Sequence, residues 1–142
     1  MMDFQAARTK MVDNQIRTTD VTSYSVLEAF LAVPREEFVP AKLRPLAYID
    51  DDIEIAPGRY LMEASPLAKL LQLAQITKDD VVLEIGCGTG YVSALLSLIA
   101  GSVVSIESDE ALAAQAMEKL SSLGYDNVAV VPGEMERGCP AE

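Results

Sequence analysis

Two carboxylates and a glycine trio are the residues of this chain whose types and spacing suggest chemistry. Glu84, Gly86, Gly88 and Gly90 stand in the run Val81-Val82-Leu83-Glu84-Ile85-Gly86-Cys87-Gly88-Thr89-Gly90-Tyr91. Glu107 follows about 20 residues after the first glycine. Glycines let a ligand approach the main chain closely, because no Cβ stands in the way. A carboxylate at that distance can accept hydrogen bonds from ribose hydroxyls. Together they describe a pocket for an adenosine-bearing cofactor. A tight strand-to-helix turn that binds nothing is the plain alternative, but it would need fewer than three glycines.

Two details favour S-adenosylmethionine over a dinucleotide. The dinucleotide fingerprint G-x-G-x-x-G/A requires a small residue five positions after the first glycine, for close helix–strand packing. Tyr91 occupies that position. Glu84, beside the loop, would also repel a pyrophosphate, whereas it could attract an ammonium or a sulfonium. Cys87 is read as a small side chain near the ligand. With no histidine and two cysteines, Cys87 and Cys139, neither a soft metal site nor a disulfide framework is expected.

These residues need a scaffold. Val81 to Ile85 is short, apolar and rich in β-branched residues, as in a strand covered on both faces. A helix is predicted from about Thr89 to Leu98, ending near Gly101. Val103 to Ile106 reads as a second strand, and a helix from about 110 to 123 follows, with Leu112, Ala116, Leu120 and Leu123 as its stripe. Asp109 and Glu110 sit at its positive end, and Gly124 can terminate it. Val128 to Val131 reads as a third strand. The expected sheet order is third, second, first.

The first half of the chain reads mainly as helices. Residues 3 to about 17 carry apolar positions at helical spacing. Thr22 or Ser23 can cap a helix whose apolar face is Val26, Leu27, Phe30 and Leu31, and Pro34 stops it. Short helical pieces are expected at Glu36–Val39 and at Ala41–Tyr48, the latter interrupted by Pro45. Asp50 to Ile55 alternates acid and aliphatic, as a short strand does. Pro57-Gly58 is a turn. Ser65 is predicted to cap a helix with Pro66 at its first position and Leu67, Leu70, Leu71 and Ala74 as its buried stripe.

Composition sets outer limits. The 142 residues include 22 acids and 11 bases, a net charge of −11, which argues against a nucleic-acid backbone or an anionic membrane as partner. Half the residues are apolar, so a folded core is expected. No signal-peptide pattern or membrane-length apolar run is seen, and a cytoplasmic protein is expected.

The order of segments resembles the protein-L-isoaspartate O-methyltransferases. Met11-Val12-Asp13-Asn14-Gln15-Ile16, Val33-Pro34-Arg35-Glu36-Glu37-Phe38-Val39-Pro40 and Leu46-Ala47-Tyr48 are similar to that family's N-terminal signature. Val82 to Tyr91 is similar to its cofactor loop, and Leu123 to Val128 to the segment before its third strand. The resemblance implies an α/β, Rossmann-like methyltransferase fold with N-terminal helices. The implied activity is methyl transfer from S-adenosyl-L-methionine to the carboxylate of isoaspartyl residues in damaged proteins, a protein-repair function. Glu84, Gly86, Cys87, Gly88, Gly90 and Tyr91 would then surround the cofactor, with Glu107 on its ribose. Glu134 would reach adenine or else be an exposed loop acid. Met62 would line the methyl-transfer region, and no catalytic residue is assigned.

The chain departs from the family's pattern in three places. Aligned on Gly58, Met62 stands where the family carries an active-site serine, and Tyr60 where it carries a threonine. Glu134 replaces an aspartate. The family also continues with further strands, so the parallel core is expected to be incomplete at the C-terminus, as in a fragment or truncated product. One domain over 1–142 is expected, with a helical cover at 1–78 and the first half of the cofactor core at 79–142. The uncovered first strand would be an apolar edge open to self-association. A non-catalytic relative that binds the cofactor or a partner protein is the alternative.

Overall fold

The computed structural model describes residues 2–138, so Cys139 lies outside the described part. The chain divides into two compact units, Met1–Ile76 and Thr77–Glu142.

In the N-terminal unit, α1 (Phe4–Met11) is capped by Asp3, whose carboxylate accepts from the Ala6 amide at 3.1 Å. The helix does not run on to residue 17 as one α-helix. Val12–Ile16 winds as a π-turn and Arg17–Thr19 as a 3-10 turn, closed by Asp20 in the left-handed region at φ 67°. Helix α2 (Tyr24–Ala32) ends before Pro34, as expected. Its cap residue Ser23 makes no side-chain cap. Instead Gln72 Oε1 accepts from the Thr22 and Ser23 amides at 2.8 and 2.7 Å. Short 3-10 turns occupy Arg35–Phe38 and Ala41–Leu46, with Pro45 inside the second.

The expected strand at 50–55 is β1 (Ile53–Ala56), and it pairs antiparallel with β2 (Arg59–Leu61) across the Pro57-Gly58 turn. The second strand of this hairpin was not foreseen: it is three residues long, too short to show alternation. Gly58 takes φ 72°, which the two-residue turn requires.

Helix α3 (Ala64–Leu73) corrects two expectations. Its cap residue is Glu63, and Ser65 and Pro66 lie inside the first turn. Any first-turn position suits proline, since those N–H groups have no intrahelical partner. The buried stripe is Ala64, Leu67, Ala68 and Leu71, while Leu70 and Ala74 are exposed. Helix α3 packs on α2 and on the π-turn.

The C-terminal unit is a three-stranded parallel sheet. Strands β3 (Val81–Ile85), β4 (Ser102–Glu107) and β5 (Val128–Pro132) lie in the order β3-β4-β5, matching the expected order. Helix α4 (Tyr91–Ile99) joins the first pair and α5 (Glu110–Ser122) the second. The Asp109 carboxylate caps α5, accepting from the Leu112 amide at 3.0 Å. Gly124, at φ 83°, ends it, and the Tyr125 amide reaches back to the Leu120 carbonyl at 2.9 Å. Leu123, expected in the buried stripe, is 37% exposed.

Strand β3 is not covered on both faces. Val81, Leu83 and Ile85 alternate along one face and are 73%, 51% and 48% exposed. Only β4 pairs with β3 among the described residues. The apolar run reports the strand's nature, but nothing in periodicity says which neighbours are present.

Candidate cofactor site

The parallel register brings the chemistry to one end of the sheet. Pairing of Ile85 with Ile106 sets the loop after β3 beside the last residue of β4. The Gly86 and Cys87 amides donate to the Ile106 carbonyl at 2.8 and 3.3 Å, which ties the loop to β4 as the chain leaves the sheet. In open parallel sheets ligands bind outside the carboxyl ends of the strands, and the loop occupies that end.

The glycines are demanded by the backbone. Gly86, Gly88 and Gly90 adopt φ of 80°, 58° and 100°, a region costly for residues with a Cβ. Gly90 has a second reason. A Cβ there would lie 3.3 Å from both the Ala116 Cβ and the Leu120 Cδ1 of α5.

Glu107 is fully buried and faces the loop. Its Oε1 accepts from the Gly88 amide at 2.8 Å and its Oε2 from the Asp109 amide at 2.9 Å. The spacing of Glu107 from the trio therefore becomes contact in the fold. The Gly133 amide donates to the Glu107 carbonyl at 3.0 Å, which draws the turn after β5 to the same end. Glu134 follows in that turn, exposed, with its Oε2 3.0 Å from Arg137 Nε. Cys87, Thr89 and Tyr91 are buried in or just after the loop.

Glu84 faces a different set of groups. Its Oε1 accepts from Ser93 Oγ of α4 at 2.5 Å and from Ser105 Oγ of β4 at 2.8 Å. Burial pushes its carboxyl above the usual value; the two serine hydroxyls oppose this, and the Glu107 charge adds to it. The sign follows. The fold favours the protonated acid, so this residue's contribution is most favourable at low pH. It is lost as pH climbs from the ordinary glutamate value, about 4.3, through the raised one. Glu84→Gln cannot titrate and keeps an acceptor for the serines. Thermal unfolding should show the variant gaining on wild type between pH 4 and pH 7.5; an equal difference at both would contradict it.

Met62 lies in the N-terminal unit between β2 and α3, with its residue surface 40% exposed. That unit also holds a polar cluster that periodicity did not reveal. Tyr48 Oη donates to Glu36 Oε1 at 2.5 Å and accepts from Arg8 Nε at 2.9 Å and the Arg35 amide at 3.1 Å. Arg8 also bridges to Glu36 at 3.4 Å. Gln15 Nε2 donates to the Tyr48 carbonyl at 2.9 Å. Burial pushes the Tyr48 phenol far up, reinforced by the Glu36 carboxylate, so it stays a donor. The available signal was a run of three adjacent charges, Arg35, Glu36 and Glu37, set between two prolines and beside apolar residues. The Gln15, Arg35-Glu36 and Tyr48 segments, far apart in sequence, meet in this cluster.

Residues 6–142 match the family model described as Protein-L-isoaspartate(D-aspartate) O-methyltransferase (PCMT). A protein-L-isoaspartate O-methyltransferase of Koribacter versatilis (strain Ellin345) is 41% identical over 135 residues, 95% of this chain and 61% of the relative. One of Roseiflexus castenholzii (strain DSM 13941 / HLO8) is 42% identical over 139 residues, 98% and 63% respectively. The chain thus spans less than two thirds of the length of these relatives. Among solved structures, a protein-L-isoaspartate O-methyltransferase superposes with a TM-score of 0.79 at 29% identity, over 94% of this chain and 44% of that one. A Plasmodium falciparum protein described with the same family name, solved with S-adenosyl-L-homocysteine, gives a TM-score of 0.70 over 94% of this chain and 64% of its own. Its identity is 15%, so that likeness is one of fold.

Proposed function

Because the chain belongs to the protein-L-isoaspartate(D-aspartate) O-methyltransferase family, we propose that the complete protein methylates isoaspartyl residues of damaged proteins, using S-adenosyl-L-methionine. One observation carries the cofactor assignment: the positive-φ glycine loop and the buried Glu107 carboxylate meet at the carboxyl end of β4. Gly86, Cys87, Gly88, Gly90 and Tyr91 would shape the pocket, with Glu107 accepting from ribose hydroxyls. Glu84 would stand with them at the methionine end of the cofactor, and Glu134 would meet adenine.

Bound there, the sulfonium supplies an activated methyl group. The acceptor carboxylate of an isoaspartyl side chain is ionised at neutral pH and needs no general base. The protein's work is then to align the reactants and exclude water. That is compatible with a chain that has no histidine. Met62 would line the acceptor side without itself reacting.

We also propose a cytoplasmic, protein-repair setting. Among the described residues no helix is long and apolar enough to cross a membrane. Among the described residues β3 pairs with β4 alone, and this, with the exposed Val81, Leu83 and Ile85 on one of its faces, supports self-association of the 142-residue chain. Light scattering should give more than the monomer mass of 15.3 kDa; a stable monomer would refute it.

One observation favours the non-catalytic alternative: Met62 has no hydroxyl donor where the family carries its serine. Isothermal calorimetry tests the part both readings share. S-adenosyl-L-methionine should bind, and more tightly than NAD; the reverse order would overturn the cofactor assignment.

A further inference from the structure

Three of the five residues between β3 and α4 are glycines, all at positive φ. Glycine has the widest choice of backbone conformations, so such a loop keeps one shape only where it is tied. Its first half is tied to β4. The Gly86 and Cys87 amides donate to the Ile106 carbonyl, and the Gly88 amide to Glu107 Oε1. Its second half runs directly into α4, and the Gly90 amide donates within the loop, to the Cys87 carbonyl at 3.0 Å. Where α4 begins therefore helps to set the path of Thr89 and Gly90.

A side chain in the first turn of α4 reaches back to β3. Ser93 is fully buried, and its Oγ donates to Glu84 Oε1 at 2.5 Å. Glu84 is the last residue but one of β3 and Ser93 the third of α4, so this bond spans the glycine loop. Helix α4 packs on β4 and β5, and the bond adds a direct link to the strand that the loop leaves. Ser105, also fully buried, donates to the same oxygen at 2.8 Å. It stands opposite Glu84 in the β3–β4 ladder, where the two strands are already joined, so its hydroxyl connects no further element. The two serine oxygens lie 3.0 Å apart. Each hydroxyl has one proton, and with both given to Glu84 neither bond depends on the other serine.

We propose that Ser93 is a positioning residue for the cofactor loop: through its bond to Glu84 it ties the start of α4 to β3 and so fixes the second half of the loop in its binding shape. This rests on the S-adenosyl-L-methionine assignment proposed above. A loop already held in its bound shape has less freedom to lose when the ligand arrives, and affinity rises accordingly. Ser93 acts from within the core and need not touch the cofactor.

The test uses the complete protein with S-adenosyl-L-methionine: calorimetry for affinity, and amide exchange at Gly90 in the free protein. Ser93→Ala and Ser105→Ala each remove one fully buried hydroxyl that donates to Glu84, so a merely structural role predicts like effects on binding. The positioning role predicts unlike ones. Ser93→Ala should raise the dissociation constant by about tenfold, the scale of one lost hydrogen bond, and quicken exchange at Gly90. Ser105→Ala should stay within about twofold of wild type, because the bond that spans the loop survives. Ser93→Thr keeps the hydroxyl and should bring affinity and exchange back toward wild type. Should Ser93→Ala not fold, Ser93→Cys takes its place; its thiol is a weaker donor, and a rise of about threefold is expected. Wild-type affinity in Ser93→Ala, equal weakening in Ser93→Ala and Ser105→Ala, unchanged Gly90 exchange in Ser93→Ala, or no recovery in a stably folded Ser93→Thr would each overturn the proposal. No binding by the wild type would instead overturn the cofactor assignment and the positioning role with it, and Gly90 exchange would still report whether Ser93 holds the loop.

Discussion

Glu107→Ala is expected to weaken S-adenosyl-L-methionine binding by at least tenfold and to destabilise the C-terminal unit at the same time. The two effects come from the two sides of one carboxylate. Toward the protein, Oε1 and Oε2 are the acceptors of the Gly88 and Asp109 amides. Alanine leaves both N–H groups without them. Each unsatisfied buried group costs about 1–3 kcal/mol, so a loss of roughly 2–6 kcal/mol is expected, reduced where water can enter. Toward the ligand, a hydrogen bond to a charged acceptor contributes about 1.5–3 kcal/mol, which corresponds to the affinity loss. Glu107→Gln separates the parts. Its amide oxygen can still accept from Gly88, but its NH₂ faces the Asp109 donor, so stability should fall between wild type and alanine. Calorimetry and thermal unfolding of the three proteins check this. Wild-type affinity in Glu107→Ala would remove Glu107 from the site.

Gly101→Ala should be among the most damaging single methyl additions in the chain, although Gly101 touches no ligand. An alanine Cβ there would lie 2.4 Å from the Lys78 carbonyl oxygen and 3.3 Å from that of Asp80. Both are backbone atoms, so no side chain can swing aside. The Gly101 amide also donates to the Asp80 carbonyl at 3.0 Å, and any retreat would strain that bond as the chain enters β4. Overpacking typically costs 1–3 kcal/mol, and about 3 kcal/mol or more is expected where backbone must move. Gly124→Ala is the comparison. Its Cβ would meet nothing within 4 Å, and only its φ of 83° is strained, at about 1 kcal/mol. Urea unfolding should rank Gly101→Ala well below Gly124→Ala, and the opposite order would contradict the packing seen at the strand entrance.

The parts of this fold that sequence made legible are those governed by local rules. The limits of β3 follow from its β-branched run, the end of α5 from Gly124, and the contact of Glu107 with the loop from the strand–glycine–helix–strand order. Reading fell short where the deciding partner is distant. The Thr22 and Ser23 amides are satisfied by Gln72, fifty residues on, rather than by a cap of their own. Ser65 looked like a cap beside Pro66, yet the Glu63 amide is held by Asp52 and the helix begins one residue earlier than Ser65. The exposed face of β3 has the same apolar residues a covered one would have. The Arg8–Glu36–Tyr48 cluster and the Arg35 fork are long-range pairings of charged and aromatic groups, and hydrophobic periodicity carries no trace of them.

Methyl transfer from labelled S-adenosyl-L-methionine by the full-length natural product, to an isoaspartyl peptide and to the same peptide with ordinary aspartate, tests the central claim most directly. Label should appear in the isoaspartyl peptide and not in the aspartyl one, slowly in wild type and faster in Met62→Ser, which restores the family's hydroxyl. Binding of S-adenosyl-L-methionine with no label on the isoaspartyl peptide, in wild type and in Met62→Ser alike, would contradict the account and leave a cofactor-binding protein without this activity.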